Sequence, residues 1–363
     1  MGGFGRRLFL TGGSLALGIG IGRWWLPASS GKGPKFPKVD SFAAAKGRLL
    51  DDASELEPTE IDRQVMINSD FDVAFIHRVR ALIIEARDRK IPLIASTARH
   101  SMGGQSLPEQ GIALTLSQSS VKPDIASKTY RVAAGTRWRT VVSELDKIGF
   151  SPAVMQSNND FGVGSTFSVN AHGWPVPFSG AGSTVRSIKI MIPDGTIQTC
   201  SRTENPEIFR HAMGGYGLFG IVLELELDMV PNSRLTPTFE PMPGKDVGPF
   251  FAKALKDDPT IQMAYGRLDV SLDQFFERGM LITYRPSADQ KNLPPVSGSG
   301  IVSEASRFIF RNQLGSDLAK HLRWWIETEL GPDIEGDVTR NSLLNEPVAA
   351  LAGFDDGRTD ILH

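Results

Sequence analysis

The sequence predicts an α+β protein built from two packed units. Three observations carry this: helical spacing and short strand-like runs alternate along the same stretch, turn residues punctuate them, and the character of the chain changes after Pro231. At 363 residues the chain exceeds an ordinary single domain and can bury a sizeable core. Hydrophobic residues make up 40% and charged residues 22%, as in soluble globular proteins, and no apolar run is long enough for a membrane span. A formal charge of −2 gives no basic footprint for nucleic acid. Cys200 is alone, which excludes an intrachain disulfide and cysteine-based metal centres, and no metal site is expected.

The elements follow in order. Residues 1–30 begin Gly5-Arg6-Arg7-Leu8-Phe9-Leu10-Thr11 and continue through a weakly apolar, glycine-rich stretch to Arg23-Trp24-Trp25-Leu26-Pro27-Ala28. This has the form of a twin-arginine leader, a route that exports folded proteins, so a periplasmic or extracytoplasmic location and contact with the twin-arginine machinery are expected. An uncleaved surface anchor is the alternative, and Phe-Leu directly after the paired arginines favours export. A linker rich in Gly, Pro and Lys occupies the region up to residue 50. From Asp72 to Lys90, Ile76, Val79, Ile83 and Ala86 share one helical face, with Asp70 as the expected cap. Ile91–Ser96, Ile112–Leu116 and Tyr130–Ala134 read as strands, and Trp138–Ile148 as a helix. Ser187–Ile192 and Thr196–Cys200 flank Pro193-Asp194-Gly195, a hairpin signature. Asn205–Met213 reads as a short helix and Ile221–Asp228 as a strand.

Three segments carry chemistry. Thr97-Ala98-Arg99-His100-Ser101-Met102-Gly103-Gly104-Gln105 follows a strand; small residues let main-chain N–H groups turn inward as an anion nest, and Arg99 adds positive charge, so a pyrophosphate fits. Gly162 to Trp174, followed by Phe178 to Val185, reads as a loop whose small residues allow close approach of the backbone to a large flat ligand. Gly214 to Val222 contains a formal G-x-G-x-x-G, but a helix precedes it and a strand follows, the reverse of the dinucleotide fingerprint. A nicotinamide-dependent Rossmann enzyme is therefore rejected.

Together, and in this order, the three segments resemble the vanillyl-alcohol-oxidase (PCMH-type) family of FAD-linked oxidoreductases over about Asp51 to Asn232. The resemblance implies a two-subdomain PCMH-type FAD-binding domain at 51–232, followed at 233–363 by a partial antiparallel-sheet substrate, or cap, domain. It implies that Ala98 to Ser101, continuing through Gly103, Gly104 and Gln105, wrap the FAD pyrophosphate. Gly164, Ser165, Asn170, His172 and Gly173 would line the flavin and ribityl chain, and main-chain groups of Ile221 and Val222 the adenosine side. In family branches acting on alditols and sugar lactones, the histidine matching His100 is bonded to the flavin 8α-methyl, so a covalent flavin is expected here.

In the second unit, Met263 to Val270 alternates, placing Tyr265, Arg267 and Asp269 on one side as candidate catalytic residues, with Tyr284 and Arg285 on the next strand as further candidates. The role to fill is a base that takes the hydroxyl proton of a CH–OH donor. A solvated sheet face is an equal reading of the same alternation. Thr359–His363 looks like the start of another strand, which the family resemblance reads as a C-terminal truncation. The leading expectation is an oxidase or dehydrogenase of a polyol, sugar or lactone-like substrate with O₂ or a redox partner as acceptor; a flavin-binding remnant without turnover is the alternative. A residue controlling O₂ access is expected within Met155 to Asp160.

Overall fold

In the computed structural model, which describes residues 48–53, 58–101, 103–296, 316–334 and 336–345, β1 (Arg48–Leu50) and β2 (Thr59–Ile61) form an antiparallel hairpin. Residues 48–50, expected in the linker, are thus a strand. The expected leader and the strand at Thr359–His363 lie outside the described residues. Next come β3 (Arg63–Ile67), α1 (Val73–Arg89), β4 (Leu93–Ser96) and β5 (Ile112–Leu116), whose strands pair in parallel in the order β3-β5-β4. All five residues of β5 are buried, as a central parallel strand requires. The helix cap is corrected from Asp70 to Asp72, whose side chain accepts the Phe75 N–H at 2.7 Å. α1 buries Phe75, Val79, Leu82, Ile83 and Ala86.

The chain then builds a larger antiparallel sheet from β6 (Val121–Asp124), β7 (Thr129–Ala133), β8 (Phe150–Pro152), β9 (Val185–Met191), β10 (Ile197–Ser201) and β11 (Ile221–Pro231). Its order is β10-β9-β11-β7-β6, with β8 joined to β11. Three helices cover it: α2 (Trp138–Asp146), α3 (Val163–Val169) and α4 (Pro206–Ala212). The β9–β10 hairpin turns at Gly195, with φ +85° and Thr196 N–H bonded to Asp194.

α3 corrects the expected loop at Gly162 to Trp174. Glycine here serves helix-to-sheet packing: a Cβ on Gly164 would lie 2.7 Å from Ala134 Cβ and 2.9 Å from its carbonyl oxygen. Trp138, fully buried, donates its indole N–H to Thr166 Oγ1 at 2.8 Å and locks α2 to α3.

After Pro231 a second sheet forms from β12 (Arg234–Pro243), β13 (Met263–Leu268), β14 (Arg278–Pro286) and β15 (Val338–Thr339), all antiparallel, in the order β13-β14-β12-β15. α5 (Gly244–Asp257) covers one face, since Cβ atoms on Gly266 and Gly279 would meet Val247 at 3.0 and 2.4 Å. The period of two puts Met263, Tyr265 and Arg267 on the opposite face. That face meets the first unit: Ala264 N–H bonds Trp174 O, Val176 N–H bonds Gln262 O, and the Trp174 and Tyr265 rings lie 4.8 Å apart.

A final segment seals the two units. Beyond α6 (Asp317–Trp325), the buried Arg340 reaches Ser151 Oγ, Pro152 O and Ala153 O on one side and Gln262 O on the other. Burial pushes its guanidinium down to about 10. Asn341 adds bonds to Asp146 and Phe150 O. No helix among the described residues is long and apolar enough to cross a membrane.

Candidate functional site

The loop leaving β4 is laced to residues 51–53. Asp52, buried, accepts from Ser101 Oγ at 2.7 Å and from Gly104 N–H at 3.1 Å. Ala53 N–H reaches Arg99 O at 2.8 Å, and Arg99 Nε reaches Asp51 O at 3.2 Å. Arg99 itself adopts the left-handed conformation, φ +51°, and Gly104 follows at +71°. Such turns point successive amides the same way. Among the described residues, no acceptor takes the main-chain N–H of His100 or Ser101, while their side chains are held from behind. A diphosphate asks for this donor set, so the loop fits the phosphate bridge of FAD. Arg99 supplies its charge from beneath: its guanidinium turns toward Thr115 Oγ1 and Asp51 O, and burial lowers its pKa, opposed by the Asp52 carboxylate.

His100 Nε2 lies 2.9 Å from Asp160 Oδ2, and its ring meets Phe161 edge-on at 4.6 Å. Asp160 also pairs with Arg139 at 2.6 Å and Arg137 at 3.5 Å. Burial alone would raise its carboxyl, but the His100 hydrogen bond and the two guanidinium charges prevail and hold it below the usual carboxylate range. Arg137 bonds both Asp160 O and Thr97 O, tying the two loops together. Gly162 belongs to the same junction, because a Cβ there would lie 2.4 Å from Thr97 Oγ1. Asp160 and Arg137 were absent from the expected site residues. The polar run Asn158-Asn159-Asp160 ahead of Gly162 was the available signal.

The second and third glycine-rich segments are also brought together. Gly214 N–H bonds Phe167 O and Tyr216 N–H bonds Ser168 O. Gly164 and Ser165 lie in the first turn of α3. Asn170, left-handed at φ +48°, caps α3 and accepts the Gly182 N–H at 2.9 Å, so its side-chain oxygen pins the 180–182 turn. His172 is exposed, and Gly173 presses on the 153–155 segment, where a Cβ would lie 1.9 Å from Met155 O. Gln105 Oε1 accepts the Gly103 N–H at 3.0 Å. Ile221 and Val222 open β11, paired with Met191 and Ile190 of β9, whereas the ladder to β7 begins at Glu224.

On the second sheet, Tyr265 stacks between Trp174 at 4.8 Å and Tyr284 at 6.3 Å, and the Arg267 guanidinium lies 5.1 Å from the Tyr265 ring centre. Asp269 does not join them. β13 ends at Leu268, and Asp269 is buried at the following turn, where it pairs with Arg278 and accepts the Ser271 N–H. Arg267 is likewise unsuited to the base role, because nearby groups raise its pKa despite burial and arginine stays protonated.

A parallel sheet and an antiparallel sheet in the first unit, with the amide nest laced to residues 51–53 and Asp160, and a second antiparallel sheet define an α+β protein whose 98–105 loop suits a diphosphate. Residues 74–201 match the family of FAD binding domains. Residues 74–201 thus form a FAD binding domain, similar to that of PCMH-type FAD-linked oxidases, and FAD is the cofactor it takes. It is similar to cytokinin dehydrogenase 1 of Arabidopsis thaliana, 29% identical over 38% of this chain and 24% of that protein. Similarity extends to D-arabinono-1,4-lactone oxidase of Yarrowia lipolytica, 28% identical over 46% of this chain and 33% of that protein. Mitochondrial L-galactono-1,4-lactone dehydrogenase of Brassica oleracea is 28% identical over 43% of this chain and 26% of that protein. The match thus spans between 24% and 34% of the first relatives' own length.

Proposed function

We propose that this FAD-dependent oxidoreductase oxidises a CH–OH group of a polyol, sugar or lactone-like donor, with its flavin attached covalently through His100. The observation that carries the attachment is the His100–Asp160 bond of 2.9 Å. A carboxylate on Nε2 fixes the ring and its tautomer, which leaves Nδ1 as the nitrogen for bonding to carbon. Bound FAD supplies the hydride acceptor at N5. The loop at 98–105 holds the diphosphate, and the sheet face with Tyr265 and Arg267 meets the donor. Of the three candidate catalytic residues, Tyr265 offers that face a hydroxyl, bonded to Arg267, that can orient the donor, whereas Asp269 is committed to Arg278 and Arg267 stays charged and cannot serve as a base. The relatives named for sugar lactones support the donor class.

Export by the twin-arginine route and an O₂ or protein electron acceptor complete the reading. A denaturing gel viewed under ultraviolet light after acid treatment tests it: a fluorescent band at the chain's own mass is expected, and flavin released entirely into the acid supernatant overturns the covalent link. Anaerobic mixing with alditols, sugars and lactones then tests turnover. Bleaching by one of them is expected. A yellow protein that none of them bleaches is the alternative, a flavin binder without turnover.

A further inference from the structure

Resting on that reading, we infer that the donor carries an anionic group, a carboxylate, which Arg267 binds while the Trp174–Tyr265 surface takes its carbon skeleton. The three other arginines on the strands of this sheet are each neutralised: Arg278 by Asp269, Arg285 by Asp258 at 2.7 Å, and Arg234 by Asp289 at 2.8 Å. Arg267 is the exception. Among the described residues no carboxylate lies within ion-pair distance of its guanidinium, although it is half-buried. Glu327, the acid whose field reaches it, is bonded to Arg323 at 2.9 Å. Burial favours losing the charge, but Glu327 and the Tyr265 hydroxyl outweigh it, so the cation is retained. The charge is thus held in place by its surroundings, and with no carboxylate in ion-pair contact among the described residues the guanidinium has N–H donors left for a carboxylate arriving from outside.

Position points the same way. Arg267 lies on the sheet face opposite α5, next to Tyr265, whose other neighbour is Trp174 of the first unit. Trp174 directly follows His172 and Gly173, so the cation and the aromatic slab sit where the two units meet. A planar fork of donors matches a carboxylate in two hydrogen bonds, and the tilted ring pair offers a flat apolar surface for C–H faces.

The test uses the purified protein with its flavin content measured first. D-Gluconate, D-glucitol and D-glucono-1,5-lactone, together with glycolate and L-lactate, are titrated by calorimetry into the wild type, Arg267→Met and Arg267→Lys. At least one acid is expected to bind, with D-gluconate preferred over D-glucitol by about tenfold or more, the scale of a charge-assisted pair. Arg267→Met should abolish that preference, and Arg267→Lys should keep part of it, having the charge without the fork. Failure of every acid to bind the wild type, equal binding of gluconate and glucitol, or an unchanged preference in Arg267→Met overturns the inference. Should Arg267→Met not fold, Arg267→Lys decides: a reduced preference that falls further at high salt supports the inference, and a preference equal to the wild type's at every salt concentration overturns it. Calorimetry reads the acid and absorbance reads the flavin. A colourless protein that binds gluconate therefore defeats the flavin reading alone, and a yellow protein indifferent to acids defeats this inference alone.

Discussion

His100 and Asp160 meet at 2.9 Å across 60 positions of sequence, and the contact joins the amide nest to the segment ahead of α3. Arg137 and Arg139 converge on the same carboxylate, so one acid organises both the histidine and the loop bearing it.

Asp160→Asn should destabilise the fold at neutral pH by about 1–3 kcal/mol, the range for losing one partner of a charged hydrogen-bond group. Folding depresses the Asp160 carboxyl. Its contribution is therefore complete above the unfolded value, about 3.9, and fades as pH falls through the lower folded value. Melting temperatures of wild type and variant, measured from about pH 6 down to about pH 3, should converge at the acid end. A gap that widens on acidification contradicts this sign.

Asp52→Ala removes the brace behind Ser101 and Gly104. Apo-protein carrying His100→Ala, so that no covalent bond forms, titrated with FAD and followed by quenching of flavin fluorescence, should show an affinity about tenfold weaker with Asp52→Ala than without it, equivalent to about 1.4 kcal/mol. Equal affinity with and without Asp52→Ala would mean that the nest is held without the strap at 51–53.

Asp72→Ala should cost about 1 kcal/mol in urea unfolding, because it removes the side-chain acceptor of the Phe75 N–H. Asp70→Ala, two residues earlier, should cost far less. The pair distinguishes the observed cap from the one periodicity suggests.

Arg340→Lys keeps the charge but cannot reach Ser151, Pro152, Ala153 and Gln262 together. We expect a loss of about 1–3 kcal/mol in urea unfolding and faster limited proteolysis after Pro231. Unchanged protection would mean that the sheet contacts at Trp174 hold the units together alone.

Much of this protein was legible without coordinates, and the reason is range. α1, the β9–β10 hairpin and the helix–strand order around Gly215 each depend on residues within one turn or one strand, where periodicity and turn chemistry act directly. The same local signals mislead where packing decides. Gly162 and Gly164 look like a ligand-facing loop, yet they are small because Thr97 and Ala134 press against them, and a helix starts there. Alternation placed Asp269 beside Tyr265 and Arg267, but the strand ends one residue earlier and Arg278 draws the carboxylate into a turn.

The sequence by itself determined the cofactor class, the nest-forming loop, the element types of the first unit and the candidate face of β13, because each is written in spacing a few residues long. Only the tertiary structure decided that Asp160 holds His100, that Asp52 backs the nest, that Arg340 clamps the two units, and that Arg267, alone among the arginines on its sheet's strands, meets no carboxylate at ion-pair distance among the described residues. Those contacts join residues 49 to 189 positions apart, or are defined by a partner's failure to arrive. Chain packing sets them, since no local pattern records which distant carboxylate a guanidinium will meet.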